Sequence, residues 1–535
     1  MAETTIFRAR RIHTLAGDAP EALAVVGEHI VATGSSDDLA RRFPEAETVG
    51  LDGVVVPGLN DAHMHPSQVA EDVLHLDVSA AVAKSNAEVL NAVRREAENT
   101  PAGEWIRATR YDDAKMPEGR VLTRFDLDSA TREHPVLVVH VAGHWGVANS
   151  LALERGHLDD ASQPPPGGDF GRDGNGHLNG ILYERAVFEY AYPAVAGKPT
   201  VIPPTGLEDR LKGLQRALAM FHAAGLTSLG DAMAGPEDIR LYQEAERRGL
   251  LTARINLLIA YQHFDAIKRL GLMSGFGSSR LRFNGVKGFV DGALGGRTCL
   301  LEHADPDWHG IQTTSTTDLR DLVLSVHEAG SRVGIHANGD RAISLLLDQF
   351  EAAQAACPRT DVHHRVEHCS IVTPEILERM RRLGAIAVPF GSYVHYHAGR
   401  LLEWYGPERC ERMFAVRSML DAAVAVAGSS DYPCGPYEPL LALQSCVTRV
   451  GWDGALIGSS QRISSREALE LYTTGAAFAS DEQHVKGRLA PGYLADFVVL
   501  GEDPLEVDPS RLAQVQVLAT YVGGSPVFPR VATAR

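Results

Sequence analysis

The chain has 535 residues, too many for one small core, and its 44% hydrophobic and 22% charged content fits a globular fold with one large domain carrying a smaller one. A formal net charge of −17 with no long Lys/Arg run argues against nucleic acid and anionic membrane surfaces as partners. No apolar run approaches the ~18 residues of a membrane span, the start Met1-Ala2-Glu3 lacks signal-peptide order, and six cysteines without a C-x-x-C pair indicate neither a zinc knuckle nor a disulfide framework. The expected location is cytoplasmic.

From Thr5 to about Val56 the sequence reads as short strands and turns: Ile6-Phe7, Ala22 to Val26, His29 to Gly34 and Val54 to Val56. A similar signature returns in 487–500 and 515–522, so residues 1–56 and 485–535 are expected to pair into one small β domain. Next, Val54 to His65 is an apolar run ending in two histidines. On a strand His63 and His65 point to one face and Met64 to the other, and two imidazoles in register can share one divalent ion. Alternating histidines also arise as structural pairs, so the reading depends on partners downstream.

Residues 57–484 alternate strand-like and helix-like segments. Eight candidate strands are the one ending at His65, then Val136–Val141, Thr227–Asp231, Gly285–Val290, Arg332–His336, His364–His368, Ala385–Val388 and Ala423–Ala427. Helical stretches such as Asp318 to Gly330, which closes on glycine, lie between several of them. Such alternation predicts an α/β fold with a parallel sheet, and eight units predict a closed barrel. The gap between the first two strands, about 66–135, is an insertion, and the turn-rich stretches 164–168 and 173–176 mark a further loop insertion after the second strand.

Reactive groups of a parallel barrel sit where strands end. His336 ends the fifth candidate strand, His368 the sixth, and Asp431 follows the eighth; Lys287 lies inside the apolar fourth strand ahead of Asp291-Gly292. A lysine there is costly to bury charged and needs a partner or a chemical change. Each position alone has a plain structural explanation, such as a buried histidine bonded to a carbonyl or an aspartate capping a turn. Their joint placement with His63 and His65 points to a metal site.

Pro57-Gly58-Leu59-Asn60-Asp61-Ala62-His63-Met64-His65, Lys287-Gly288-Phe289-Val290-Asp291-Gly292, His336-Ala337-Asn338-Gly339-Asp340, Glu367-His368 and Gly428-Ser429-Ser430-Asp431-Tyr432-Pro433 resemble the amidohydrolase superfamily, in the branch called amidohydrolase family 3, which includes N-substituted formamide deformylases. The late stretch Gly487-Arg488 to Pro491-Gly492-Tyr493-Leu494-Ala495-Asp496 resembles that branch too. The resemblance implies a distorted (β/α)8 TIM barrel with a small β-sandwich domain formed by both termini. By it, His63, His65 and Asp431 would hold one metal and His336 and His368 a second, with Lys287 carboxylated and bridging. Two zinc ions are the expected cofactors, with manganese, iron or cobalt as alternatives. A bridging hydroxide would then attack an amide or an N-formyl or N-acyl amine, and Asp431 would be the proton shuttle and catalytic residue.

His144, Trp145 and Asn149 after the second candidate strand, and Arg297 and Thr298 beyond Lys287, are candidate substrate-binding residues, with Tyr111, Asp112 and Glu184 behind them; Trp145 can equally pack a loop against the insertion. His395 and His397 repeat the alternating pattern but read as a loop feature. Val388-Pro389-Phe390 departs from the Gln-Pro more usual in the family. A small-molecule amide is the expected partner and a homodimer is possible. Two other readings stand beside the binuclear hydrolase: a mononuclear deaminase or cyclic amidine hydrolase, which would not need Lys287, and a non-catalytic barrel with a binding or signalling role.

Overall fold

The computed structural model describes residues 3–529 except 193–195, 197, 305–307, 309 and 361. Its centre is a sheet of eight parallel strands in chain order: β1 (Leu59–Met64), β2 (Leu226–Ala234), β3 (Arg254–Ala260), β4 (Leu281–Phe289), β5 (Val333–Ala337), β6 (Arg365–His368), β7 (Ile386–Val388) and β8 (Ala425–Val426). The sheet curls until its two edges meet. Ala62 N–H donates to Gly428 O at 3.1 Å, Asp431 N–H to His63 O at 2.8 Å and His65 N–H to Tyr432 O at 3.0 Å, so the residues just after β8 close the barrel on β1.

Every residue of β1, β3 and β5 is buried, as expected of strands covered on both faces. The outer cover is helical. Ser315 caps Thr316–Glu328 by accepting from Asp318 N–H, and Thr373 caps Pro374–Leu383 in the same way, with Gly384 closing it in the left-handed region. Apolar stripes of these helices and of helix Asp340–Ala356, including Val323, Val326, Leu346, Phe350 and Met380, join Val286, Val333 and Ile335 in one large core.

The barrel interior is polar at the N-terminal ends of the strands, where the segment Leu471–Ala479 acts as a plug. Asn60 Nδ2 donates to Thr473 O at 3.2 Å, and Asn284, Arg332 and Arg365 all donate to Ala479 O at 3.2 to 3.4 Å. Ala62, Ile386, Val388 and Ala427 pack against Ala476 and Ala479 of the same plug.

Both chain ends build one seven-stranded sheet in the order Ser525–Phe528, Val517–Val522, Phe497–Leu500, Glu47–Pro57, Thr4–Ile12, Ala22–Val26, His29–Gly34. One set of alternate side chains, with Phe7, Leu23, Val25, Val55, Phe497 and Val499, encloses a core of its own; Phe7, Phe497 and Tyr521 form an aromatic triad within it. The opposite set, Val56, Val498 and Leu500, joins the barrel core. Arg254 of β3 grips Asp496 at 2.6 and 2.9 Å across this contact, a buried pair whose disruption costs about 3–5 kcal/mol.

Between β1 and β2 lies a second sheet in the order Gly168–Arg172, Leu178–Glu184, Trp145–Ala148, Val136–His140, Ile106–Tyr111, Leu76–Asp77. This corrects the strand assignment. Val136–His140 pairs in parallel with Ile106–Tyr111 inside the insertion, so it carries the barrel-like apolar run without belonging to the barrel. Thr227–Asp231 falls in β2, and β3, whose Arg254 and Asn256 masked its apolar character, was missed. The two errors offset, so the strands numbered fourth to eighth keep their places. The loop at 173–176 is the turn of the antiparallel hairpin Gly168–Arg172 and Leu178–Glu184. None of the six cysteines forms a disulfide, and no helix among the described residues is long and apolar enough to cross a membrane.

Candidate metal centre and active site

His63 and His65 sit where β1 stops. Pro66 at the first position of helix Pro66–Asp72 ends the strand, and Met64 turns outward into the main core. His63 is 0% exposed; its Nδ1 donates to Glu367 Oε2 of β6, leaving Nε2 as a free ligand atom. Glu367 is held by Arg365, with Nε to Oε1 at 2.6 Å and a second nitrogen to Oε2 at 2.9 Å, and that guanidinium also donates to Ala62 O at 2.8 Å. Gly334 of β5 makes room for this group, because a Cβ there would stand 2.7 Å from Glu367 Oε1. Burial opposes the Glu367 charge, yet Arg365 and His63 hold its pKa down near 2.

Asp431 completes the first half. Its Oδ1 lies 3.3 Å from His63 Nε2 and 3.1 Å from His65 Nε2, and ligand atoms of the three residues all lie within 4.8 Å of one another. Asp431 stands at φ 53°, in the left-handed region, and is fixed by the backbone bond to His63 O. Burial works against its charge, but His368, His63 and His65 keep the carboxyl well below the usual range.

Lys287 brings in the second half. It is 2% exposed in β4, with Nζ 3.4 Å from His63 Nε2, and burial lowers its pKa to about 8. The His63 and His368 rings are 4.7 Å apart and those of His336 and His368 4.5 Å. His336 Nε2 is engaged, 3.1 Å from Gly292 O and 3.0 Å from Asn338 Nδ2, so Nδ1 is the atom left for a ligand. His368, at φ 71°, stacks on Phe390 at 4.3 Å, and its buried Nδ1 has no hydrogen-bond partner. Burial pushes both imidazoles well below their ordinary pKa, the neutral form a metal requires. An orphaned imidazole nitrogen, a carboxylate and a buried lysine in one group fit a divalent ion.

The cavity over this group is closed on the far side by the insertion, through Ala142, Gly143, His144, Phe188 and Tyr192. His144 Nδ1 bonds Glu184 Oε2 at 2.7 Å; burial opposes charge on the ring, but Glu184 outweighs it and raises the pKa. Thr298 reaches the site indirectly, donating to Glu184 Oε1 at 3.1 Å. The other substrate candidates lie elsewhere. Trp145 stacks on His140 at 4.2 Å within the core of the insertion, and Asn149 caps helix Ser150–Arg155 while its amide donates to His134 O at 3.0 Å. Arg297 is exposed, with its guanidinium 5.0 Å from the Trp308 ring centre, and Tyr111 bonds Asn86 at 2.8 Å.

A second cluster, Asp112, Asp113 and His140, has metal-like spacing at the ends of two insertion strands. Both its imidazole nitrogens are engaged: Ala142 N–H donates to Nδ1 at 3.0 Å and Nε2 lies 3.2 Å from Asp113. Its imidazole therefore keeps no lone pair for an ion, although both carboxylate oxygens of Asp112 are buried without a hydrogen-bond partner. His395 and His397 lie on helix Tyr393–Cys410; His395 Nδ1 bonds Val450 O at 3.1 Å, and the His397 ring lies 4.4 Å from that of Tyr393. Glu367, Arg365 and Cys434 were not singled out from sequence. The available signal for the first two was two charged residues alternating within a strand that is buried on both faces.

Residues 51–528 match the family model described as amidohydrolase family, and 22–46 also match one for a bacterial imidazolonepropionase-like composite domain. The chain is 30% identical to an N-substituted formamide deformylase of Arthrobacter pascens over 94% of each sequence. It is 29% identical to the Arabidopsis thaliana protein LONG AFTER FAR-RED 3, over 90% of this chain and 83% of that one. In fold it is similar to an uncharacterized metal-dependent hydrolase from Pyrococcus horikoshii OT3, with a TM-score of 0.77, 24% identity and coverage of 95% of this chain and 99% of that one. The chain belongs to the amidohydrolase family and is a hydrolase acting on carbon–nitrogen bonds.

Proposed function

We propose that the chain hydrolyses the amide bond of a small N-formyl or N-acyl amine with two divalent ions, zinc by preference for an imidazole-rich set. The observation that carries this is the convergence of His63, His65 and Asp431 with Lys287 and the unpartnered His368 Nδ1 at one end of the barrel. His63, His65 and Asp431 would hold one ion and His336 and His368 the other, with Lys287 between them as a carbamate. Carboxylation turns a buried cation into an anion, which removes the burial penalty once cations are present. The ions, when bound, supply a water acidic enough to ionise near neutral pH and a Lewis acid for the carbonyl oxygen.

The chain's own groups do the rest. Asp431 accepts the proton of the attacking water and delivers it to the departing nitrogen, a role suited to a carboxylate held ionised at the cavity wall. Phe188, Phe289, Tyr192 and Met233 provide an apolar wall for the group on nitrogen. Metal content per chain and the intact mass of the protein test the centre: two ions and a lysine heavier by one carbon dioxide are expected, and one ion with an unmodified Lys287 would sink the binuclear site. Turnover of a panel of N-formyl and N-acyl amines tests the reaction. A fully loaded enzyme inert toward all of them would remove this substrate class.

A further inference from the structure

We infer that Glu184 is a positioning residue that acts through His144, fixing the imidazole so that its Nε2 hydrogen-bonds the amide group of the substrate. This rests on the amide-hydrolase reading above. The strand Leu178–Glu184 ends with Glu184 at φ 50° and ψ −123°, a conformation that side chains other than glycine rarely adopt, and the residue is buried. Three contacts keep it there. Its N–H donates to His144 O at 2.7 Å, its Oε2 bonds His144 Nδ1 at 2.7 Å, and its Oε1 accepts from Thr298 Oγ1 at 3.1 Å.

Glu184 thus holds His144 by both backbone and side chain, and is itself pinned by the barrel loop after β4. That loop has no room to spare: a Cβ at Gly292 would collide with Thr298 and lie 2.9 Å from Glu184 Oε1. The insertion supplies the imidazole and its carboxylate, and the barrel supplies the lock.

With Nδ1 committed to Glu184, the ring offers one free nitrogen, Nε2, and it stands beside the metal group with its centre 5.1 Å from that of His336. Of the other polar side chains in the lining, His65, Lys287, His336, His368 and Asp431 are assigned to metal, and further ones are tied to neighbours. Gln68 Nε2 donates to the Tyr192 hydroxyl at 3.3 Å, and the Cys434 thiol donates to Ala142 O at 3.0 Å. His144 is therefore the imidazole of the lining outside the proposed ligand set, and it can orient an amide. A carboxylate bonded to the far nitrogen of an imidazole fixes both ring orientation and the face offered to a ligand.

The test is a double-mutant cycle in metal-loaded enzyme, H144A, E184A and the pair, with kcat, KM, metal content and melting temperature measured for each. Either single change should lower kcat/KM about 10- to 100-fold with metal retained, the double variant should be no worse than H144A, and E184Q, which keeps an acceptor for Nδ1–H, should recover part of the loss. Multiplying losses in the double variant, or an unaffected H144A, would overturn the inference. If E184A does not fold, E184Q and T298V carry the same cycle with H144A. Calorimetric binding of N-butylformamide to Asp431→Asn, with and without H144A, separates the two readings. Weaker binding with H144A supports the positioning role even if no amide is turned over, and equal binding refutes it.

Discussion

The two ends of the barrel are built from the same strands and treat buried polar groups in opposite ways. At the N-terminal ends Asn60, Asn284, Arg332 and Arg365 each find a carbonyl of the plug Leu471–Ala479. At the C-terminal ends His368 Nδ1 has no partner, and Lys287 Nζ has His63 Nε2 at 3.4 Å and the Phe289 ring centre at 4.9 Å. A satisfied network adds rigidity, whereas an unsatisfied one is a standing cost that a ligand must relieve. Glu367 is the link between the two regimes: Arg365 from the plug side bonds both of its carboxylate oxygens, and His63 from the other side shares Oε2. The plugged end therefore serves as the base on which the reactive end is set.

Four measurements probe this contrast, beginning with the strongest effect. Asp431→Asn should cut hydrolysis by about 10²–10⁴-fold while most of the metal is kept, as read by steady-state rates and metal analysis; near-normal rates would remove the shuttle. Glu367→Gln weakens the anchor beneath His63, and a competing chelator should report a metal affinity lower by about 10–100-fold.

The third measurement concerns the plugged end. Val333 N–H donates to His364 Nδ1 at 3.1 Å, and His364 Nε2 pairs with His327 Nδ1 at 3.0 Å, whose Nε2 donates to Cys357 O at 2.6 Å. Burial, then His327, Arg332, Arg359 and His363, keeps His364 well below its ordinary pKa, so the folded form refuses a proton that the unfolded chain accepts. Stability is then complete above the ordinary histidine value of about 6.5 and should fall by up to about 1.4 kcal/mol per unit as pH drops below it. Denaturant unfolding between pH 7 and 5 should show this slope, reduced in His364→Gln. Smallest of all, Asn149→Ala removes a helix cap within the insertion and should cost about 1 kcal/mol in unfolding free energy with KM unchanged; a raised KM would return Asn149 to the substrate site.

The candidate metal-site residues stand out in the sequence because their placement obeys a local rule: each lies at or near a strand end, in segments whose apolar pattern is visible over a few residues. Glu367 carries no such mark, since it acts on a histidine 304 positions away, and Glu184 stands in the sequence only among the lesser substrate candidates because its grip on His144 depends on an unusual backbone angle. The barrel strand β3 escaped notice because Arg254 and Asn256 read as polar, although Asp496 and Glu482 wait to pair with them. Val136–His140 misled for the opposite reason. A parallel strand inside the insertion is as apolar as one in the barrel, so the sequence alone places Trp145 and Asn149 after it beside the substrate. His144 alone of the three reaches the cavity.

The seam where Ala62, His63 and His65 meet Gly428, Asp431 and Tyr432 has a bearing on how the protein is born. His65 and Asp431 are 366 positions apart, and Glu47–Pro57 waits for Phe497–Leu500 to pair with it. A chain emerging from the ribosome thus carries two histidines that lack their carboxylate until nearly all of it has been made, and closing so long a loop is slow. Metal capture at the proposed centre would consequently be a late event, coupled to the docking of the last strands, and a chain cut short before Asp431 would be an open trough with no centre to load.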